Sequence, residues 1–117
     1  MTPTPELRTR LRKLLNEVIP QGGSETDTRF LNADLDTLLI EAVNIYSAAT
    51  AGWTMKAGML QQELGQIEQY SVGEETYKVV NLTTAINAAL KMAETYSRMA
   101  ASGMGSMILR ITPPEVL

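Results

Sequence analysis

The stretch that decides the fold is residues 32–64, NADLDTLLIEAVNIYSAATAGWTMKAGMLQQEL. Its apolar residues recur every three or four positions, which is the period of an amphipathic helix. Asn32 is a candidate N-cap, and Asp34 falls in the first turn, where a helix favours negative charge. The pattern predicts one long central helix, about 40 Å long if it is unbroken to Leu60, with Gly52 and Gly58 as places where it can bend. The residues on its apolar face are Leu35, Leu39, Ala42, Tyr46, Ala49, Trp53, Ala57, Leu60 and Leu64.

The opposite side of the first half of this helix is also apolar, at Leu38, Ile40, Val43 and Ile45. A surface helix of a monomer needs only one apolar stripe. Either the helix is central to the fold, or its second side is covered by another subunit. We predict a subunit interface at Leu38, Ile40 and Val43, and a core that includes Leu35, Leu39, Tyr46 and Trp53.

A basic helix precedes the long one. Thr4 is a candidate N-cap with Pro5 at the first helical position, an apolar stripe runs from Leu7 to Val18, and Pro20 ends the helix. Residues 1–13 hold four basic residues against one acidic residue, whereas the remainder holds six against twelve. Arg8 and Arg12 lie one turn apart on one side of the stripe, and Arg10 and Lys13 lie on the other. Such a helix suits either phosphates or protein carboxylates; we predict that Arg8 and Arg12 contact carboxylates, including those of another subunit.

A third helix is predicted after Asn81, which is a candidate N-cap. Its alanine-rich face lets another helix approach closely, so we expect it to pack on the long helix, with Ile86 and Tyr96 in the core. Gly103 and Gly105 are predicted to end it. Residues 65–80, between the long helix and this one, have the pattern of a short β-hairpin or of an extended loop. The face of the third helix is formed by Leu82, Ala85, Ile86, Ala89, Ala93, Tyr96 and Ala100.

The C-terminal residues are β-prone and apolar on both faces of a would-be strand. A lone exposed strand of this kind is an aggregation hazard, and prolines cannot continue a ladder. We predict a partner-binding arm that adds as a strand to another chain; the alternative is that it folds back on residues 76–80. The residues of this arm are Met107, Ile108, Leu109, Arg110, Ile111, Pro113 and Pro114.

Together these patterns predict a mainly α fold, a small bundle of three to four helices around one long central helix. A short β-hairpin and an extended C-terminal strand are the expected additions. Residues 1–102 would form the helical domain and residues 103–117 the extended arm.

The side chains that most enzymes and metal sites use are missing. The chain has no histidine and no cysteine, which excludes Ser/His/Asp and Cys/His nucleophilic sites and imidazole or thiolate metal sites. The neighbouring carboxylates lie in loops or at helix starts, where acids serve as caps. We therefore expect no catalytic residue, metal or cofactor. Nor do we expect a membrane span, since no apolar run is long enough. The neighbouring carboxylates that lie in loops or at helix starts are Glu25 and Asp27, Asp34 and Asp36, and Glu74 and Glu75.

The order and lengths of these elements form a recognisable pattern. It consists of the helix at residues 7–18 with its Pro/Gly break, residues 34–42, Ala48-Ala49, Gly52-Trp53, residues 70–73, Tyr77-Lys78, and residues 107–111 with their proline tail. In this order the sequence resembles the small head–tail connector proteins of tailed bacteriophages, also called adaptor or head-completion proteins.

The resemblance implies a non-enzymatic virion protein, assembled in the host cytoplasm. Its subunits would form a ring, typically of twelve, docked on the portal protein at the neck. The ring would extend the DNA channel, touch passing DNA only non-specifically and offer a platform to the next neck or tail protein. One alternative is a small helical DNA-binding regulator that uses the basic helix, which the net charge of −3 disfavours. Another is a secreted helical-hairpin effector, but such proteins often carry Trp-x-Gly, and Trp53 is followed by Thr54-Met55.

Overall fold

The structure, a computed structural model, describes residues 1–70 and 76–111, and for residues 68–70, 76, 77 and 103–111 it describes the backbone alone. Helices α3 and α4 pack along each other, and α1 and α2 pack against α3. The predicted mainly α bundle around a long central helix is confirmed. The elements within the described ranges are α1 (Pro5–Leu15), a short 3-10 helix (Glu25–Asp27), α2 (Asn32–Glu41), α3 (Ile45–Tyr70) and α4 (Thr76–Ile111).

Helix α1 begins as the sequence predicts and ends earlier. The Thr4 hydroxyl accepts a hydrogen bond from the Leu7 amide at 3.1 Å, and Pro5 is the first helical residue. The helix stops at Leu15 because Asn16 adopts a left-handed conformation, with φ 58°, that closes the C-terminus. Val18, predicted to extend the apolar stripe, lies beyond this cap and is 57% exposed.

The predicted single long helix is two helices, α2 and α3. The break falls after Glu41, where Asn44 starts a new helix by accepting a hydrogen bond from the Ser47 amide at 2.9 Å. The Ser47 hydroxyl accepts in return from the amide of Asn44 at 3.1 Å. This reciprocal cap stabilises a corner that glycine positions do not indicate; Gly52 and Gly58 lie inside continuous α3.

The predicted β elements are helical wherever they are described. Residues 66–70 belong to α3 and residues 76–80 to α4, so the hairpin prediction is wrong there. Helix α4 begins five residues before Asn81 and continues through Gly103 and Gly105 to Ile111. A helix satisfies its own backbone, so the strand predicted at residues 107–111 is wrong. The extended arm predicted for residues 103–117 is helical over its described part, residues 103–111. Val72, Gly73 and Glu74 of the predicted turn, and Pro113 and Pro114 of the predicted arm, lie outside the described residues.

The core runs between α3 and α4 and under α1 and α2. Of the six predicted core residues, Leu35, Leu39, Trp53 and Ile86 are buried. Tyr46 and Tyr96 are half-buried and stack on each other, with ring centroids 6.2 Å apart. Sequence periodicity missed Phe30, which lies in a loop outside any helical stripe and is fully buried.

Candidate interaction surface

Arg12 was predicted to lie in a subunit interface, and the structure places it inside the chain. Its side chain is 4% exposed. The guanidinium donates to the Glu17 carbonyl and the Thr28 hydroxyl, at 3.1 and 2.8 Å, and to the Phe30 carbonyl and the Asn32 side chain, at 2.9 and 3.0 Å. All four acceptors belong to the loop between α1 and α2 or to the first residue of α2. Arg12 therefore holds this loop in place and is unavailable to a partner.

Arg8 binds a carboxylate, as predicted, but within its own chain. Its guanidinium makes a two-point contact with Asp36 of α2, at 2.6 and 3.1 Å. The hydrogen bond that Arg8 donates to Asp36 is the main cause that raises the pKa of Arg8 above its ordinary value. The pair fixes α1 antiparallel to α2, since Arg12 reaches Asn32 one turn further along. The predicted contact of Arg8 with another subunit is not needed to explain this side chain.

A second ion pair joins the same loop to α3. Lys56 lies 2.5 Å from Glu17, and only about a tenth of each side chain is exposed. The Lys56 ammonium also donates to the Leu15 carbonyl at 3.0 Å and lies 4.6 Å from the centre of the Trp53 ring. The Trp53 indole donates to the Leu14 carbonyl at 3.0 Å. Trp53 and Lys56 thus satisfy carbonyls that α1 leaves free at its C-terminus.

The three apolar residues predicted at the interface separate into two groups. Leu38 packs in the chain's own core and reaches the surface only where it lines a groove. Ile40 and Val43 point away from the core and are 61% and 70% exposed. Beside them, at the corner between α2 and α3, lies a groove of about 240 Å³; we call this groove with Ile40 and Val43 the corner surface. The groove is lined by Leu38, Glu41, Ala42, Val43, Ser47 and Ala51.

The remaining basic side chains of α1 form a second surface. Arg10 and Lys13 are exposed, and among the described residues their side chains make no hydrogen bond or ion pair. They line a groove of about 440 Å³ together with Pro5, Glu6 and Thr9. We call these five residues the basic face. The sequence placed Arg10 and Lys13 opposite Arg8 and Arg12 but did not show which pair the fold would leave free.

The carboxylates considered as catalytic or metal-binding candidates have structural partners. Glu25 accepts from the backbone and the side chain of Asn32. Asp27 accepts from the Ser24 amide, and Asp34 from the Leu31 amide. Asp36 pairs with Arg8, as described above, whereas Glu74 and Glu75 lie outside the described residues. Each described carboxylate of these pairs caps a turn or a helix, or pairs with an arginine.

The part of the chain that the structure describes contains no group of three or more acidic, histidine or cysteine side chains placed to hold a metal ion. No described helix has both the length and the hydropathy that crossing a bilayer requires.

Comparison with protein-family models, curated proteins and solved structures finds no match to this chain. For residues 107–111 only the helical backbone is described, so their binding to a partner stays a prediction.

Proposed function

We propose that this protein is a structural subunit of a bacteriophage neck ring, which docks on the portal protein and connects the head to the tail. The sequence resemblance motivates the proposal. The structural observation that carries it is the corner surface, where Ile40 and Val43 are more than half exposed beside a groove. The subunit would act by binding other chains, with no chemistry of its own.

The energetics of the corner surface favour association. Full burial of an Ile or Val side chain is worth about 1.5–3 kcal/mol relative to leaving it exposed. Ile40 and Val43 lie three residues apart around the end of α2, so one partner surface can cover both. Scattered exposed apolar residues are common on monomers, but these two lie together at the rim of a groove. Assembly with another subunit would bury this surface.

The alternative, a DNA-binding regulator, has less support from the same side chains. Of the four basic residues of α1, Arg12 is buried and Arg8 pairs with Asp36. Arg10 and Lys13 remain, and two phosphate contacts give only weak, salt-sensitive binding. The acidic balance of the chain suits a channel wall that lets DNA pass without holding it.

The test is assembly on the portal protein of the same phage, followed by light scattering and negative-stain electron microscopy. We expect wild type to add a ring to the portal, and Ile40→Glu and Val43→Glu to weaken that addition at least tenfold with unchanged helical circular dichroism. Leu90, half exposed on α4, supplies the matched control. Leu90→Glu adds the same charge at another exposed apolar site and should assemble like wild type.

Two results would contradict the proposal. One is a wild-type protein that stays strictly monomeric even with portal. The other is tight, sequence-selective DNA binding at physiological salt, which would favour the regulator instead.

A further inference from the structure

We propose that the ring subunits join head to tail, with the corner surface of one copy receiving the basic face of the next copy. This inference rests on the proposed assembly and names its two contacting surfaces. Its central pairing is between Glu41 at the groove of one copy and Arg10 and Lys13 on α1 of the neighbour.

The two surfaces lie on opposite edges of the layer formed by α1 and α2. The Arg8–Asp36 pair marks the sides on which these helices face each other. At about 100° per residue, Arg10 lies roughly 160° around α1 from Arg8, so it points away from α2. Glu41 lies roughly 140° around α2 from Asp36, so it points away from α1. Surfaces on opposite edges permit a heterologous contact, which closes into a ring when the rotation between copies allows it.

Glu41 at the corner surface is opposite in charge to Arg10 and Lys13 on the basic face, and none of these three side chains is used inside the subunit. The Met1 ammonium at the corner is used there, because it donates to the Ala42 carbonyl at 3.1 Å and to the Ile40 carbonyl at 3.5 Å. Glu41 is exposed, and within the described residues its side chain makes no hydrogen bond or ion pair. Arg10 and Lys13 are equally free, as described above. By contrast, two carboxylates of other segments beside α1 already have partners: Asp36 with Arg8, and Glu17 with Lys56. Glu6, on the basic face itself, is exposed and makes no hydrogen bond or ion pair within the described residues. The fold thus leaves Glu41 free at one edge, and Arg10, Lys13 and Glu6 free at the other, where one positive charge remains in excess.

The apolar parts of the surfaces also fit this pairing. Ile40 and Val43 flank Glu41 and are exposed. The basic face offers Pro5 and the methylene stems of Arg10 and Lys13, which can cover apolar surface while their charged ends reach a carboxylate. Complementary charge would set the orientation and register of neighbouring copies, and apolar burial would supply most of the affinity.

Cysteine cross-linking tests the geometry, because the natural chain contains no cysteine. Thr9 is exposed on the basic face and Ala51 is exposed in the groove of the corner surface, so Thr9→Cys and Ala51→Cys leave all the charges in place. Under mild oxidation in the presence of portal, a mixture of the two single variants should give disulfide-linked heterodimers. Each single variant alone should stay monomeric, and the double variant should give a ladder. Homodimers of either single variant, or no cross-link in the mixture, would overturn the head-to-tail contact.

Charge reversal tests the pairing. Glu41→Lys should weaken assembly about tenfold, because two attractions become repulsions. Adding Arg10→Glu and Lys13→Glu to the same chain should restore most of that loss, since every copy then carries both reversed surfaces. Lys91 is exposed on α4 and has no side-chain partner among the described residues, so Lys91→Glu is the control and should assemble normally.

The outcomes separate this inference from the proposed function. If wild type assembles on portal but the triple variant is no better than Glu41→Lys, the ring exists and its subunits meet through other surfaces. If wild type does not assemble on portal, both proposals fail.

Discussion

Two regions of this molecule are held together by different interactions. The loop between α1 and α2 is fixed by a buried guanidinium with four neutral acceptors and by the Glu17–Lys56 pair. The contact between α3 and α4 depends instead on close packing of small residues. Ala57, Ala89 and Ala93 are almost completely buried there. The first region should therefore be most sensitive to losing a polar group, and the second to gaining volume.

The largest expected effect is in the loop. Arg12→Met would leave the Glu17 carbonyl and the Asn32 side-chain oxygen without their donor, and the Phe30 carbonyl with the Thr28 hydroxyl alone. Unsatisfied buried acceptors are costly. We expect the free energy of unfolding to fall by about 3 kcal/mol, measured by urea denaturation followed by circular dichroism. Lys13→Met removes the same charge from the exposed side of α1 and should change stability by less than about 0.5 kcal/mol. Equal effects of the two changes would show that Arg12 does not hold the loop.

The next effect concerns the helix pair. Ala89 is 1% exposed, so Ala89→Leu must force three extra carbons into a filled contact. Overpacking of this kind costs about 2 kcal/mol, and we expect a loss of that size in the same denaturation experiment. Ala88→Leu places the same side chain on the exposed side of α4 and should be close to neutral. A stable Ala89→Leu variant would mean that α3 and α4 pack more loosely than the structure indicates.

The same contrast explains what the sequence could predict. The packing of α3 against α4 could be predicted from the spacing of apolar residues, because such periodicity is a local signal. These residues are Ala57, Ile86, Ala89 and Ala93. The burial of Arg12 is not a local property, because its acceptors lie 5 to 20 residues away along the chain. Periodicity places Arg12 correctly on the side of α1 next to Arg8 but cannot show that a loop covers that side.

The β predictions failed for a related reason. Residues 76–80 and 107–111 are rich in β-branched and apolar residues, yet both segments belong to one continuous α4. Strand propensity is a weak preference, and tertiary context overrides it. Gly103 and Gly105 likewise cost helix stability without ending the helix. In the candidate site, Ile40 and Val43 were predicted at a subunit interface and are exposed in the structure. Glu41, Arg10 and Lys13 emerged only after the structure showed which charges already had partners.

Two glycines of α3 give the third prediction. Replacing glycine by alanine should change the stability of the protein in opposite directions at the two positions. A Cβ at Gly52 would lie 2.6 Å from a methyl carbon of the fully buried Leu15, whereas a Cβ at Gly58 would meet nothing within 4 Å. Gly58→Ala should stabilise the protein by about 0.5–1 kcal/mol, the ordinary gain inside a helix. Gly52→Ala should instead destabilise it by about 1–2 kcal/mol, because Leu15 has little room to move. Stabilisation by both changes, seen as a rise in both melting temperatures, would contradict the close contact between α1 and α3.

The smallest expected effect comes from two asparagines, and it tests where helices begin. Asn44 caps α3, with its side-chain oxygen accepting from the Ser47 amide, so Asn44→Ala should cost about 1 kcal/mol. Asn81 has the same sequence appearance, but it lies five residues inside α4 and is exposed there. Alanine is the better helix former, so Asn81→Ala should stabilise the protein by a few tenths of a kcal/mol. If α4 instead began at Asn81, as the sequence pattern predicts, Asn81→Ala would remove a cap and destabilise the protein as Asn44→Ala does. Urea denaturation of the two variants decides between these two starts. Changes of opposite sign in the free energy of unfolding support a helix that begins at Thr76. Equal losses of stability would place the start of α4 at Asn81.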